Sequence, residues 1–115
     1  MKMQHITINT MCMEESIRFY QEIVGLTIQA DMRGKGSPIV FLANGAGETS
    51  VELIADPDHA YTGSGISIGF GADDVEAKRE ELLQAGYEVT PMIAPNPHVK
   101  FFFVTDPNGI KIQFI

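Results

Sequence analysis

The chain has little cysteine, few basic residues and no long apolar run. Cys12 is the only cysteine among 115 residues, which excludes an internal disulfide and a cysteine-rich metal cluster. Eight basic residues stand against 15 acidic ones, for a net charge of −7. Nucleic acid is therefore not expected as a partner, since its binding depends on a basic surface. No apolar run approaches the roughly 18 residues of a membrane span, so no membrane contact is expected either.

The composition that remains is that of an ordinary globular protein. Residues 1–115 are short enough to form a single domain, and 44% of them are hydrophobic. The segment from Met1 to His5 leads directly into a strand pattern without a secretory apolar core, which predicts a cytoplasmic location. The acidic balance mildly favours a neutral or cationic small-molecule ligand through long-range attraction, although it also serves solubility.

The pattern of predicted elements runs through the chain twice. In the first half, a helix over residues 13–24 ends at Gly25, and alternation predicts strands over 4–9, 26–32, 39–43 and 50–54. In the second half, a helix over 73–86 is accompanied by strands over 66–71, 87–92, 99–105 and 110–115. The prolines at 91, 95 and 97 are expected to end the strand over 87–92 and to begin a loop.

The spacing within the two halves supports an internal repeat. The distance from His5 to Gly25 is matched within one residue by the distance from Ser67 to Gly86. We therefore predict an α+β fold of two βαβββ modules, with module one at 1–54, a linker at 55–65 and module two at 66–115. So small a chain leaves much surface to cover, which favours a homodimer.

Strand parity divides the predicted sheets into two faces. The apolar set is expected to pack beneath the helices and comprises Ile6, Ile8, Val51, Leu53, Ile66, Ile68, Phe70, Ile112 and Phe114. In the second helix, Val75, Leu82 and Leu83 are expected to form the buried stripe. The opposite parity carries polar or small residues: His5, Thr7, Asn9, Glu52, Ser67, Gly69, Lys111 and Gln113.

The polar face either meets bulk water or lines a concave site with convergent polar groups. Aromatic residues in the third strand of each module, Phe41 and then 101–103, favour a site, because a fully solvated face would not need them. His5 and Glu52 together form a plausible beginning of a metal site. Taken singly, such a His or Glu is more often a solvated or hydrogen-bonded residue.

Several segments together resemble the vicinal oxygen chelate superfamily, which contains glyoxalase I, bleomycin resistance proteins and extradiol dioxygenases. They are His5-Ile6-Thr7-Ile8, the helix residues Glu15 to Tyr20 before Val24-Gly25-Leu26, Val51-Glu52-Leu53, and Asp106 to Phe114 with its Asp-Pro-Asn-Gly turn. The resemblance covers the whole chain. It implies paired βαβββ modules whose curled mixed sheets surround a cleft, commonly in a dimer.

The resemblance also implies where a metal would bind. The family's four ligand positions fall on His5, Glu52, Ser67 and Gln113. Ser67 stands where a His is usual and Gln113 where a Glu is usual, and both are poorer ligands. Catalytic sites keep about three good protein ligands and an open position, so His5, Glu52 and Gln113 are expected to bind zinc or nickel only weakly. His98, in the proline-rich loop, is a further candidate.

Three functions remain open at this point. The first is a bleomycin-resistance-like protein that binds a small organic ligand with weak or no metal, through Thr7, Ser67, Lys111, Phe41 and Phe102. The second is a metal-dependent glyoxalase-like lyase or isomerase, with His5 as a ligand and Glu52 as the catalytic proton carrier. The third is a degenerate module for protein contact. An extradiol dioxygenase is disfavoured because Ser67 removes one of the two His ligands of its iron.

Overall fold

The computed structural model describes residues 1–115 and divides into two compact units, Met1–Thr62 and Gly63–Ile115. The first unit contains β1 (His5–Thr10), α1 (Met13–Arg18), a π-helical segment (Phe19–Val24), β2 (Thr27–Asp31), β3 (Ile39–Ala43) and β4 (Ser50–Ala55). The second unit contains β5 (Ser67–Phe70), α2 (Val75–Gln84), β6 (Ile93–Asn96), β7 (Val99–Thr105) and β8 (Lys111–Phe114). Short 3₁₀ turns lie at Arg33–Lys35 and Pro57–His59.

Each unit has a four-stranded mixed sheet of the same topology. The strand order is β1-β4-β3-β2 in the first sheet and β5-β8-β7-β6 in the second. In each, the first strand of the unit is parallel to the last, and the remaining pairs are antiparallel. The predicted α+β fold of two βαβββ modules is confirmed.

One face of each sheet packs against the helix of its own unit. The buried apolar residues of the first unit include Ile8, Ile17, Tyr20, Ile23, Val40, Leu42, Val51 and Leu53. Those of the second unit include Val75, Leu82, Phe102, Val104, Ile112 and Phe114. Strand parity thus separated the packed face from the polar face, although Ile6, Ile68 and Phe70, expected beneath the helices, are only half-buried. None of the helices has the length and apolar character that crossing a membrane would require.

The first predicted helix is split between two geometries. Residues 13–18 are α-helical and 19–24 form a π-helical segment, a wider turn that is rare outside such short stretches. Gly25 ends the segment with φ of 91°, a left-handed conformation that costs glycine little. In the second unit Asp74 caps α2, because its side chain accepts a hydrogen bond from the Ala77 backbone N–H at 3.0 Å.

The structure corrects three expectations in the second unit. Ile66 is 52% exposed, because β5 begins one residue later and leaves it outside the sheet. Leu83 points outward while its neighbour Leu82 is fully buried. The predicted strand over 87–92 is only an isolated bridge at Val89. The sixth strand instead runs from Ile93 through Pro95, at the sheet edge, where a missing backbone N–H costs nothing.

Candidate functional site

The polar face of the first sheet brings three predicted site residues into one row. Glu52 on β4 lies directly opposite Thr7 on β1 and Phe41 on β3. Residues that oppose each other across neighbouring strands share a face of the sheet. The row therefore presents a hydroxyl, a carboxylate and an aromatic ring on the side of the sheet away from α1.

Glu52 is the most buried polar member of this face, with 9% of its surface exposed. Its Oε1 accepts a hydrogen bond from the Thr7 hydroxyl and lies 3.5 Å from His5 Nε2. The His5 ring packs edge-on against Phe41, with centroids 5.9 Å apart. A buried carboxylate is stable only when polar partners surround it, and here a neutral hydroxyl and an imidazole supply them.

A cavity of about 290 Å³ opens beside this row within the first unit. Its lining includes His5, Gln29, Phe41, Glu48 and Ser50. The loop 44–49 forms part of the rim and is tied to the chain start: Lys2 Nζ donates to the Gly47 carbonyl at 2.7 Å, and the Thr49 hydroxyl donates to the Met3 carbonyl at 2.8 Å.

Sequence reasoning missed three of these lining residues. Ser50 shares the parity of Glu52 on the same strand and could have been found by that rule. Gln29 lies at the register shift between Ile28 and Ala30 in the pairing of β2 with β3, which disturbs the parity argument. Glu48 is in a loop, where strand periodicity gives no signal.

The second sheet carries an equivalent row on its polar face. Gln113 on β8 lies opposite Gly69 on β5 and Phe103 on β7. Ser67 and Lys111 are paired with each other at the start of their strands, and Lys111 Nζ lies 5.9 Å from the centroid of the Phe103 ring. These residues form the polar face of the second unit, as those of the Glu52 row do in the first.

Phe102, predicted to contact a ligand, is fully buried, so that prediction is wrong. It lies opposite Phe114, and the two ring centroids are 5.5 Å apart. With three consecutive phenylalanines, the sequence did not show which rings face the core. The middle ring enters the core, while Phe103 is the counterpart of Phe41. His98, also a candidate, is exposed at the β6–β7 turn and lines a separate cavity of about 330 Å³ with Asp73, Asp74 and Lys100.

Arg33, on the 3₁₀ turn after β2, is paired with two carboxylates. Its guanidinium donates to Asp31 at 2.7 and 2.9 Å and to Glu14 at 2.7 Å. The side-chain hydrogen bonds from Arg33 to Asp31, followed by one from the Arg33 backbone, lower the pKa of Asp31 to about 2. The pairing connects the 3₁₀ turn at residues 33–35 to α1.

We expect the Asp31 carboxyl to titrate near pH 2 in a carbon-detected NMR experiment. Because the folded-state pKa lies below the ordinary value of 3.8, the pair's stabilising effect is complete above that value and is lost as the pH falls through about 2. Arg33→Met should return the midpoint toward 3.8. An unchanged midpoint in that variant would show that Arg33 is not the cause.

The first unit offers a metal ion two donors at suitable spacing. Two ligands of one tetrahedral zinc ion lie about 3.4 Å apart when their bonds are about 2.0–2.1 Å long, and the separation of His5 Nε2 from Glu52 Oε1 is 3.5 Å. Nowhere in the chain do three or more His, Cys, Asp or Glu side chains gather at metal-binding spacing. The pair could therefore hold a divalent ion only as two protein ligands supplemented by other groups.

Taken together, the two repeated βαβββ units define a class of small two-module α+β proteins with a mixed sheet in each module. The chain belongs to the Glyoxalase/Bleomycin resistance protein/Dioxygenase superfamily, whose family profile matches residues 2–114. The resemblance noted from the sequence is thus confirmed.

Proteins similar to this chain include two enzymes and an antibiotic-binding protein. A lactoylglutathione lyase of Haemophilus influenzae (strain ATCC 51907 / DSM 11121 / KW20 / Rd) is 28% identical, and the match covers 100% of this chain and 92% of the relative. An antibiotic-binding protein from Streptomyces sp. CB03234 has a TM-score of 0.80 at 24% identity, covering 99% of this chain and 93% of the other. The trypanothione-dependent glyoxalase I of Leishmania major has a TM-score of 0.77 at 23% identity, and the match covers 100% of this chain and 86% of the other.

Proposed function

We propose that this protein binds a small aromatic organic molecule, neutral or cationic, on the polar face of its first sheet. The observation that carries the proposal is the Glu52 carboxylate, which is buried beside Phe41 and paired only with a hydroxyl and an imidazole. A buried anion without a cationic Lys or Arg partner attracts a hydrogen-bond donor or a positive group. The adjacent ring of Phe41 offers an apolar surface for the body of the ligand.

The net charge and the structural similarity to a binding protein support the same proposal. The net charge of −7 disfavours an anionic ligand through long-range repulsion. A structural neighbour of the same fold is an antibiotic-binding protein, so this fold can carry a binding site for a small organic molecule. The homodimer and the cytoplasmic location expected from the sequence stay predictions.

Three probes with the same ring test this preference: benzylamine (cationic), benzamide (neutral) and benzoate (anionic). At millimolar concentration, benzylamine should perturb the amide NMR signals of His5, Thr7 and Phe41 most, and benzoate least. Glu52→Gln should weaken benzylamine binding by about 10-fold, the effect of losing one charge-assisted contact, while Glu22→Gln, on the exposed surface of the π-helical segment, should not. A preference for benzoate, or benzylamine binding that leaves the signals of His5, Thr7 and Phe41 unchanged, would contradict the proposal.

The second candidate function is a metal-dependent glyoxalase-like lyase or isomerase. The 3.5 Å separation of His5 Nε2 from Glu52 Oε1 favours it, as does the lactoylglutathione lyase relative. His5 and Glu52 would hold the ion, with Gln113 as the further ligand expected from the family pattern. A zinc or nickel ion supplies a Lewis acid that polarises a substrate carbonyl. Metal analysis of untagged protein separates this function from the first.

A further inference from the structure

The two repeated units differ at the position opposite the central polar residue of the row. In the first unit, Thr7 lies opposite Glu52 and ties its carboxylate with a hydrogen bond. In the second, Gly69 lies opposite Gln113 and has no side chain with which to do so. Glu52 therefore has a hydrogen-bond partner on the neighbouring strand of the first sheet. Gln113, its equivalent in the second sheet, has no such partner at the matching position.

Gly69 leaves the space in which the Gln113 side chain lies. A Cβ atom at position 69 would lie 2.9 Å from Gln113 Oε1, nearer than real Cβ atoms approach. The Gln113 amide thus lies across β5 in the space that the missing side chain leaves. No hydrogen bond, ion pair or ring contact of the Gln113 side chain occurs in the structure, although the residue is half-buried.

Other residues around the amide suit a ligand contact. Phe103 flanks Gln113 on the next strand, and the Lys111 ammonium lies over the same ring. Lys111 forms no ion pair with any carboxylate of the chain. A half-buried amide can both donate and accept, and the Gln113 side chain has no hydrogen bond within the chain to give up when a ligand binds.

Building on the proposed function, we propose that Gly69 is a specificity-determining residue that positions the Gln113 amide on the second sheet for binding a neutral polar group, such as a ligand amide. The two sheets then have different preferences. Glu52 favours a donor or a cation on the first, whereas Gln113 on the second pairs with a group that both donates and accepts.

The test compares Gly69→Ala with Gly71→Ala, whose added Cβ would meet nothing within 4 Å and whose φ is not positive. The crowding atom is the end of a flexible side chain, so Gly69→Ala should leave the sheet intact and rotate Gln113 away. The expected result is loss of the NOEs between the Gln113 side-chain amide and the α-protons of residue 69. Benzamide binding, followed at Gln113 and Ser67, should weaken about fivefold or more, the size of one lost net hydrogen bond. Gly71→Ala should change neither.

Gln113→Ala provides a second route if Gly69→Ala folds poorly. It should lower benzamide binding at the second sheet by the same factor, and adding Gly69→Ala to it should have no further effect, as expected when one residue acts through the other. Equal losses in Gly69→Ala and Gly71→Ala, or an additive double variant, would overturn the positioning role. Benzamide perturbing only the first sheet would overturn this inference and leave the proposed function standing. If none of the three probes binds to either sheet, both this inference and the proposed function are wrong.

Discussion

Leu82→Ala should lower the free energy of unfolding by about 2–5 kcal/mol, the usual cost of emptying a leucine-sized space in a core. Leu82 lies on α2 and is 0% exposed. The helix contacts β7 of its own unit, so the cavity would open between helix and sheet. Guanidinium titration followed by circular dichroism measures the loss, which should appear as a lower midpoint with little change in slope.

Leu83→Ala is the matched control, because it makes the same chemical change one residue along the same helix. Leu83 is 42% exposed, so its removal should alter the free energy of unfolding by no more than about 0.5 kcal/mol. If the two variants lost similar stability, the helix would be rotated from the position described. A small loss for Leu82→Ala alone would mean that the core closes over the cavity.

The contrast between Leu82 and Leu83 shows what the sequence can and cannot predict. Helical spacing locates an apolar stripe, but two adjacent leucines are 100° apart on the helix and cannot both lie at its centre. Only the position of the sheet decides which one is buried. The run 101–103 presents the same problem in a strand, where parity requires the middle ring to face opposite to its neighbours.

The order of the elements was predictable because it was present twice. A missed strand in one half could be inferred from the other, and both units have the predicted βαβββ order along the chain. The β6 boundary was not predictable, since its pairing partner, not its own residues, places the strand across Pro95. Of the site, Thr7 and Glu52 followed from strand parity and Phe41 from the aromatic third strand, whereas loop residue Glu48 carries no periodic signal.

Thr7→His should raise the affinity of the first unit for zinc by about 100-fold. Structural zinc sites gain about 10–16 kcal/mol from four ligands, so one ligand contributes about 3 kcal/mol, or roughly 100-fold in affinity. Thr7 already contacts Glu52 Oε1, the same oxygen that lies 3.5 Å from His5 Nε2. An imidazole at position 7 shares the face of β1 with His5 and would complete three protein ligands with an open position.

Isothermal titration of metal-free protein with zinc, without a histidine tag, measures the change. Thr7→Val removes the hydroxyl but adds no ligand, so it should leave zinc affinity at the weak level of the two-donor pair. Combining Thr7→His with Glu52→Gln should lose most of the gain, because the neutral amide is a poorer ligand than the carboxylate. If Thr7→His gains nothing over Thr7→Val, His5 and Glu52 do not direct their donor atoms to a common point. The metal-dependent candidate would then lose its structural support, while the binding of organic ligands beside Phe41 would be unaffected.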